Sequence, residues 1–119
     1  MGDTLTARFE FYERACAGVT WRLLSSNNRD LGRSGAGFPD VDACLRAVDE
    51  VRAAVTEVEP VIHRVSRLAW AWRLDAAPGA VAIASRAYQR RVQAQTACDL
   101  FLRLAATAPV TPEVRQSRT

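Results

Sequence analysis

Apolar and polar positions alternate twice in this chain around the same three letters. In Val19-Thr20-Trp21-Arg22-Leu23 the apolar set is Val19, Trp21 and Leu23, and in Trp70-Ala71-Trp72-Arg73-Leu74 it is Trp70, Trp72 and Leu74. Period-two alternation of aromatic and β-branched residues predicts a half-buried strand. Upstream, RFEFYER alternates with Phe9 and Phe11 inward, and its counterpart is PVIHRVSR. Asn27-Asn28 and Pro78-Gly79 follow the central strand at matching places and predict turns. A third strand comes next, within RDLGRSGAGF and then within AVAIASRAY. The first of these is glycine-rich and one residue longer, which predicts a bulge or an irregular edge.

Phe38 then aligns with Tyr88, and the pattern changes to helical spacing. Asp40 is a natural N-cap. Val41, Cys44, Leu45, Val48, Val51 and Val55 form one stripe; Ala94, Ala97, Cys98, Phe101, Leu104 and Ala105 form the second. Each unit therefore reads β-β-β-α, over residues 8–57 and 58–106. A single helix on three strands has too little core to stand alone. The pattern predicts an α+β fold in which two tandem units merge into one antiparallel sheet, with both helices on the face carrying Trp21 and Trp72. Residues 1–7 form an N-terminal tail. Residues 107–119, with two prolines and no period, predict a mobile tail with at most a short strand near Val110.

These motifs resemble the YegP-like family of small bacterial and archaeal proteins. The resemblance spans roughly residues 8–106 and is carried by RFEFYER, WRL and GFPDVDACLRAVDEV in the first unit and WAWRLDAAPGAVAIASRAY in the second. It implies an α+β fold built from a homodimer of single repeats or from a tandem pair. The family is a domain of unknown function, so it implies no catalytic residues. The second unit departs from the pattern by beginning Pro60-Val61-Ile62 where the first has Phe9-Glu10-Phe11.

A hydrophobic fraction of 49% and a charged fraction of 24% are globular values. No apolar run approaches a membrane span, and the N-terminus lacks a secretory pattern, so a cytoplasmic protein without membrane contact is expected. All 16 basic residues are arginine, which excludes Schiff-base chemistry and a lysine-dependent phosphate loop. Residues 1–59 hold seven arginines against ten acids, a balance of −3; residues 60–119 hold nine against three, a balance of +6. The halves either attract each other or the second faces an anionic partner.

The chemistry-bearing candidates are few. Cys16, Cys44 and Cys98 make neither a disulfide framework nor a zinc site, and Cys44 and Cys98 fall in apolar stripes. His63 is the only imidazole, so a general base is conceivable, but a strand-face histidine is the simpler reading. Gly32–Gly37, GRSGAG, precedes a helix but fits no phosphate-binding fingerprint, and Asp40 and Asp42 would repel an anion there. No cofactor or metal motif is present. The arginines stand out. Arg22 and Arg73 recur at the same repeat position, opposite the tryptophans, on a face that, if no helix covers it, is expected to carry Thr20, Arg8, Arg64 and Glu10 as well. Arg86, Arg90 and Arg91 surround Tyr88 at the entry to the second helix. Such a face either binds an anion or is a solvated sheet with cross-strand ion pairs such as Glu10 with Arg22. The sequence therefore predicts a non-catalytic binding or interaction module for an unidentified protein or ligand. Its alternative is a nucleic-acid binder using an arginine-rich face, and an enzyme is the third reading. The chain is expected to be a monomer with pseudo-dimeric units, or a homodimer.

Overall fold

The structure, a computed structural model, describes residues 7–76 and 79–116. Strands β1 (Arg8–Arg14), β2 (Gly18–Leu24) and β3 (Asp30–Arg33) lead into helix α1 (Val41–Glu57). Strands β4 (Val61–Ser66), β5 (Ala69–Ala76) and β6 (Gly79–Ile83) lead into α2 (Arg91–Ala105), and β7 (Val110–Gln116) follows. The order β-β-β-α thus runs twice, as the alternation predicts. The seven strands form one sheet in the order β4-β5-β6-β3-β2-β1-β7. The third strands of the two units meet at its centre, where Arg33 pairs with Ile83. The predicted turn at Asn27-Asn28 holds Asn28 at φ 68°. In the second unit, Pro78 lies outside the described residues, as do residues 1–6 of the expected N-terminal tail.

Equivalent main-chain bonds recur in both units. Val19 and Phe38 exchange N–H···O bonds of 2.8 Å, and Trp70 and Tyr88 exchange bonds of 2.7 Å. The N–H of Ser34 donates to the Trp21 carbonyl, and that of Ala84 to the Trp72 carbonyl, both at 3.0 Å. The expected irregularity in the third strand is present as a bulge but not at an edge, since β3 is central. Leu23 and Leu24 face Gly32 and Asp30, skipping Leu31. The same shift sets Leu74 and Asp75 against Ala82 and Ala80. The bulge therefore belongs to both units and does not stem from the glycines of the first.

Both helices lie on the face of the tryptophans. Helix α1 packs on β2, β5 and β6, and α2 on β3, β4, β5 and α1. Trp21, Trp72, Phe9, Phe11, Phe101, Leu23 and Leu74 are fully buried there, with Cys44, Val48, Val51 and Cys98. Phe101 of α2 joins the two units: its ring lies 6.2 Å from that of Trp21 and 4.7 Å from that of Trp72. Gly32 is what admits it. A Cβ at Gly32 would fall 2.6 Å from Phe101 Cδ1, closer than real contacts allow. The stripe of α1 is shifted from expectation: Leu45 is exposed, and Ala47 and Ala54 are buried instead.

Two further expectations are corrected. Residues 110–116 are a seven-residue strand and not a mobile tail, and this strand runs parallel to β1, so the sheet is antiparallel everywhere except at that edge. The tail shows no clean period because its pairing is broken. Phe9 faces Val110 while Phe11 faces Val114, and the shift spans Pro112, which has no N–H to give to a ladder. At the helix starts, Asp40 caps α1 by accepting from the Ala43 N–H at 2.8 Å. Helix α2 has Arg90 at that place: its backbone N–H donates to Gln93 Oε1 at 3.1 Å, and its carbonyl accepts from the Gln93 and Ala94 N–H groups at 3.1 and 3.2 Å.

Candidate functional site

Among the described residues no helix covers the opposite face of the sheet, and its register can be read residue by residue. Glu10 faces Arg22 across β1 and β2, Arg22 faces Arg33, Arg33 faces Ile83, and Ile83 faces Arg73. Directly opposed residues share a face. Arg22, Arg33 and Arg73 therefore stand in one row across four strands, and three strand spacings place Arg22 and Arg73 roughly 14 Å apart. The expectation that Arg22 and Arg73 share the uncovered face holds in this geometry. Arg33 was missed, although counting the β2–β3 pairing outward from Trp21 would have found it.

On the first-unit side the row opens into a shallow depression of about 580 Å³, lined by Arg8, Glu10, Tyr12, Arg22, Asp30 and Arg115 among others. Its centre is Glu10, a carboxylate 3% exposed. Arg8 Nε donates to its Oε2 at 2.9 Å, and Tyr12 donates its hydroxyl to Oε1 at 2.9 Å. Arg115 Nε, from β7, sits 3.2 Å from Oε1. A buried carboxylate needs such partners, since an unpaired one would be strongly disfavoured. The expected pair of Glu10 with Arg22 is replaced. Arg22 lies over the Tyr12 ring at 4.9 Å and reaches Asp30 at 3.6 Å, because Arg8 and Arg115 already flank the carboxylate. Asp30 also accepts from the Ser85 hydroxyl. Burial, and then the hydrogen bond to Glu10, push the Tyr12 phenol above its usual pKa.

Farther along the row, Arg73 Nε donates to both oxygens of Asp75, at 3.1 and 2.9 Å, with both side chains about two-fifths exposed. Arg33 has no ion pair or hydrogen bond from its side chain among the described residues. The arginines of this face outnumber its carboxylates; Arg22 is about one-third exposed beside Asp30 and Tyr12, and Arg33 is exposed.

The other candidates lie elsewhere. Arg86, Arg90 and Arg91 are exposed around the start of α2. Arg86 lies over Tyr88 at 5.0 Å and Arg91 over Trp70 at 5.9 Å. Arg64 joins them and not the uncovered face. It is opposite Trp70 in register and 5.0 Å over its ring. The structure thus separates the sequence's arginine candidates into two groups, one on the open face and one beside α2. His63 is half-buried in β4 with no carboxylate partner among the described residues. Cys44 and Cys98 are buried free thiols pushed up to about 12 by desolvation. Gly32 and Gly37 of GRSGAG are required by close packing: a Cβ on Gly37 would meet the Ala17 carbonyl. Among the described residues no group of three histidine, cysteine or acidic side chains gathers as a metal site, and no helix is long and apolar enough to cross a membrane. Of the residues that sequence reasoning missed here, Tyr12 follows from the alternation of β1, Asp30 is set by the bulge opposite Leu24, and Arg115 arrives through the pairing of β7 with β1.

No protein-family model matches the chain, and no curated protein matches it. Solved structures do. The solution NMR structure of yegP from E. coli, a protein of unknown function, superposes with a TM-score of 0.79 over 97% of each chain at 13% identity. The UPF0339 protein SO3888 from Shewanella oneidensis gives 0.73 over 93% of this chain and 91% of that one, at 10% identity. The chain therefore has the YegP fold that its strand and helix motifs imply.

Proposed function

We propose that this YegP-fold chain is a non-catalytic binding module whose uncovered sheet face receives an extended polyanion. The observation that carries the reading is the in-register row Arg22–Arg33–Arg73, which offers guanidinium groups along a line with one of them unpartnered. Guanidinium forks suit phosphate and carboxylate oxygens better than any other ligand chemistry. Binding fits better than proton transfer because Arg8, Tyr12 and Arg115 all converge on Glu10, and the Tyr12 phenol is shifted away from neutral pH. Nucleic acid is the second reading within this class, favoured by the Tyr12 ring held beneath Arg22, where a base could stack beside a phosphate contact. Three free thiols fit a reducing compartment, the cytoplasm. Joining β3 to β6 within one chain lets a monomer suffice.

The test is amide-shift mapping at low salt with two probes, sodium polyphosphate and a single-stranded oligodeoxythymidine. The proposal expects perturbation at Arg22, Arg33 and Arg73 with either probe. A response to the oligonucleotide alone selects the second reading. Perturbation confined to the residues around Trp70 and α2, or none with either probe, contradicts the proposal.

A further inference from the structure

Strand β4 is the outer strand of the second unit, as β1 is of the first, but only β1 is covered. β7 lies along β1 in parallel, with Phe11 opposite Val114, Tyr12 opposite Arg115 and Glu13 opposite Gln116. Among the described residues no strand lies beyond β4. The direction of its free groups follows from the pairing already described. Trp70 bonds to Tyr88, and Trp72 to Ala84, on the side away from β4. In an antiparallel pair, residues opposite such positions direct their own N–H and C=O outward. Those residues are Arg64 and Ile62. They are the counterparts of Glu13 and Phe11, which in β1 lie opposite Gln116 and Val114 of β7.

The first unit also shows what chemistry such a docked strand carries. β1 presents acids along its covered edge, and β7 answers with complementary groups: Arg115 to Glu10 at 3.2 Å, and Gln116 donating its amide to Glu13 Oε1 at 3.2 Å. On β4 the sign is reversed. Glu13 is replaced by Arg64, with Arg91 beside it over the same Trp70 ring and Arg67 at the hairpin tip. Val65 and Leu68 next to them are 50% and 79% exposed. Pro60 stands where Phe9 donates its N–H to the Pro109 carbonyl in β1, so the open stretch is confined to the end nearer Arg64.

We propose that the β4 edge is a docking site for an acidic, extended segment of a partner protein, added in parallel as β7 is added to β1. A second copy of the chain is the poorer occupant. A two-fold pairing of β4 with β4 would set Arg64 and Arg67 of one copy against those of the other, and like charges face to face oppose pairing. The acidic segment instead gains main-chain bonds from Ile62 and Arg64 and carboxylate contacts with Arg64 and Arg91, the general mode of strand addition.

The probe is a peptide about twelve residues long of alternating Glu and Thr, compared with its Lys-Thr counterpart, the length spanning a typical strand with margin. The full chain should bind the acidic peptide with slowed exchange of the Ile62 and Arg64 amides. Arg64→Glu should weaken that binding by about tenfold or more and improve binding of the basic peptide, on the scale of a close charge pair. Arg64→Gln serves as the second variant should the reversal disturb the hairpin, and should weaken acidic-peptide binding without the switch. Equal binding of both peptides, exchange changes only around Arg22 and Arg33, concentration-dependent dimerisation that protects the same amides without peptide, or no response at all would each overturn the proposal.

Discussion

In the first unit the outer strand β1 is paired on both sides, and the open face beside it holds a closed ionic cluster. In the second, β4 is paired on one side, and Val61, His63 and Ala80 stand where the first has Glu10, Tyr12 and Asp30. The main-chain bonds to Phe38 and Tyr88 and the bulge beside the third strand recur in both units, whereas β4–β5 carries a further bulge between Arg64 and Ser66 that β1–β2 lacks, and the side chains differ more widely. The helices differ in the same way. α1 starts on a carboxylate cap and α2 on arginines. In the core, Phe101 lies over Gly32 where the equivalent places in the other unit hold Val51 and Ala82. A repeated framework has been given one buried aromatic contact between its halves, one ionic cluster and an outer strand, β4, that lacks the added neighbour β1 has.

The largest expected effects test what the halves share. Trp72→Ala removes a fully buried ring that contacts Phe101 and should cost roughly 3–5 kcal/mol. Trp21→Ala should do the same. Because a small domain holds only about 5–15 kcal/mol in total, chemical denaturation should find both variants marginal. A midpoint near wild type for either would show that the two central strands are not equivalent.

Next in size is the asymmetry at Phe101. Gly32→Ala places a Cβ against its ring, and overpacking of this kind costs about 1–3 kcal/mol. Adding Phe101→Val copies the Val51 and Ala82 arrangement. The double variant should then lose less than the sum of the single losses in a denaturation cycle. Simple additivity would mean that the glycine is not there for the ring.

The thiols give a smaller, pH-dependent contrast. Cys98 stands where α1 has Val48, and Cys44 where α2 has Ala94. Both thiols ionise near 9.0 when unfolded and at about 12 in the fold. Raised folded values mean that the unfolded chain loses these protons first. Their contribution is fully present below pH 9 and is lost as pH rises toward 12. Cys44→Ala with Cys98→Val should flatten this alkaline loss in melts taken across pH 8–10, and an unchanged slope would contradict the burial.

The alternation around Trp21 and Trp72 was enough to read the two units, the shared sheet and the helix-covered face. Those features follow from periods of two and about 3.6 that each segment carries by itself. What remained hidden depends on pairing between distant segments. Arg115 reaches Glu10 only because β7 returns to β1, and nothing in VTPEVRQ alternates cleanly around Pro112. Arg64 reads as an open-face residue until its register with Trp70 is known. The glycines of GRSGAG resemble a loop until Phe101, far along the chain, is placed over Gly32.

The most direct test of the open face as an anion-binding surface is the salt dependence of polyphosphate binding. Neutralising anionic groups releases counterions, so log affinity should fall linearly with log salt concentration. Removing one contacting arginine should lower the slope by about one unit. Arg33→Ala and Arg73→Ala should each do so with the fold intact, and Arg46→Ala, on the solvent side of α1, should leave the slope unchanged. Slopes indifferent to Arg33 and Arg73, or no polyphosphate affinity at low salt, would contradict the account.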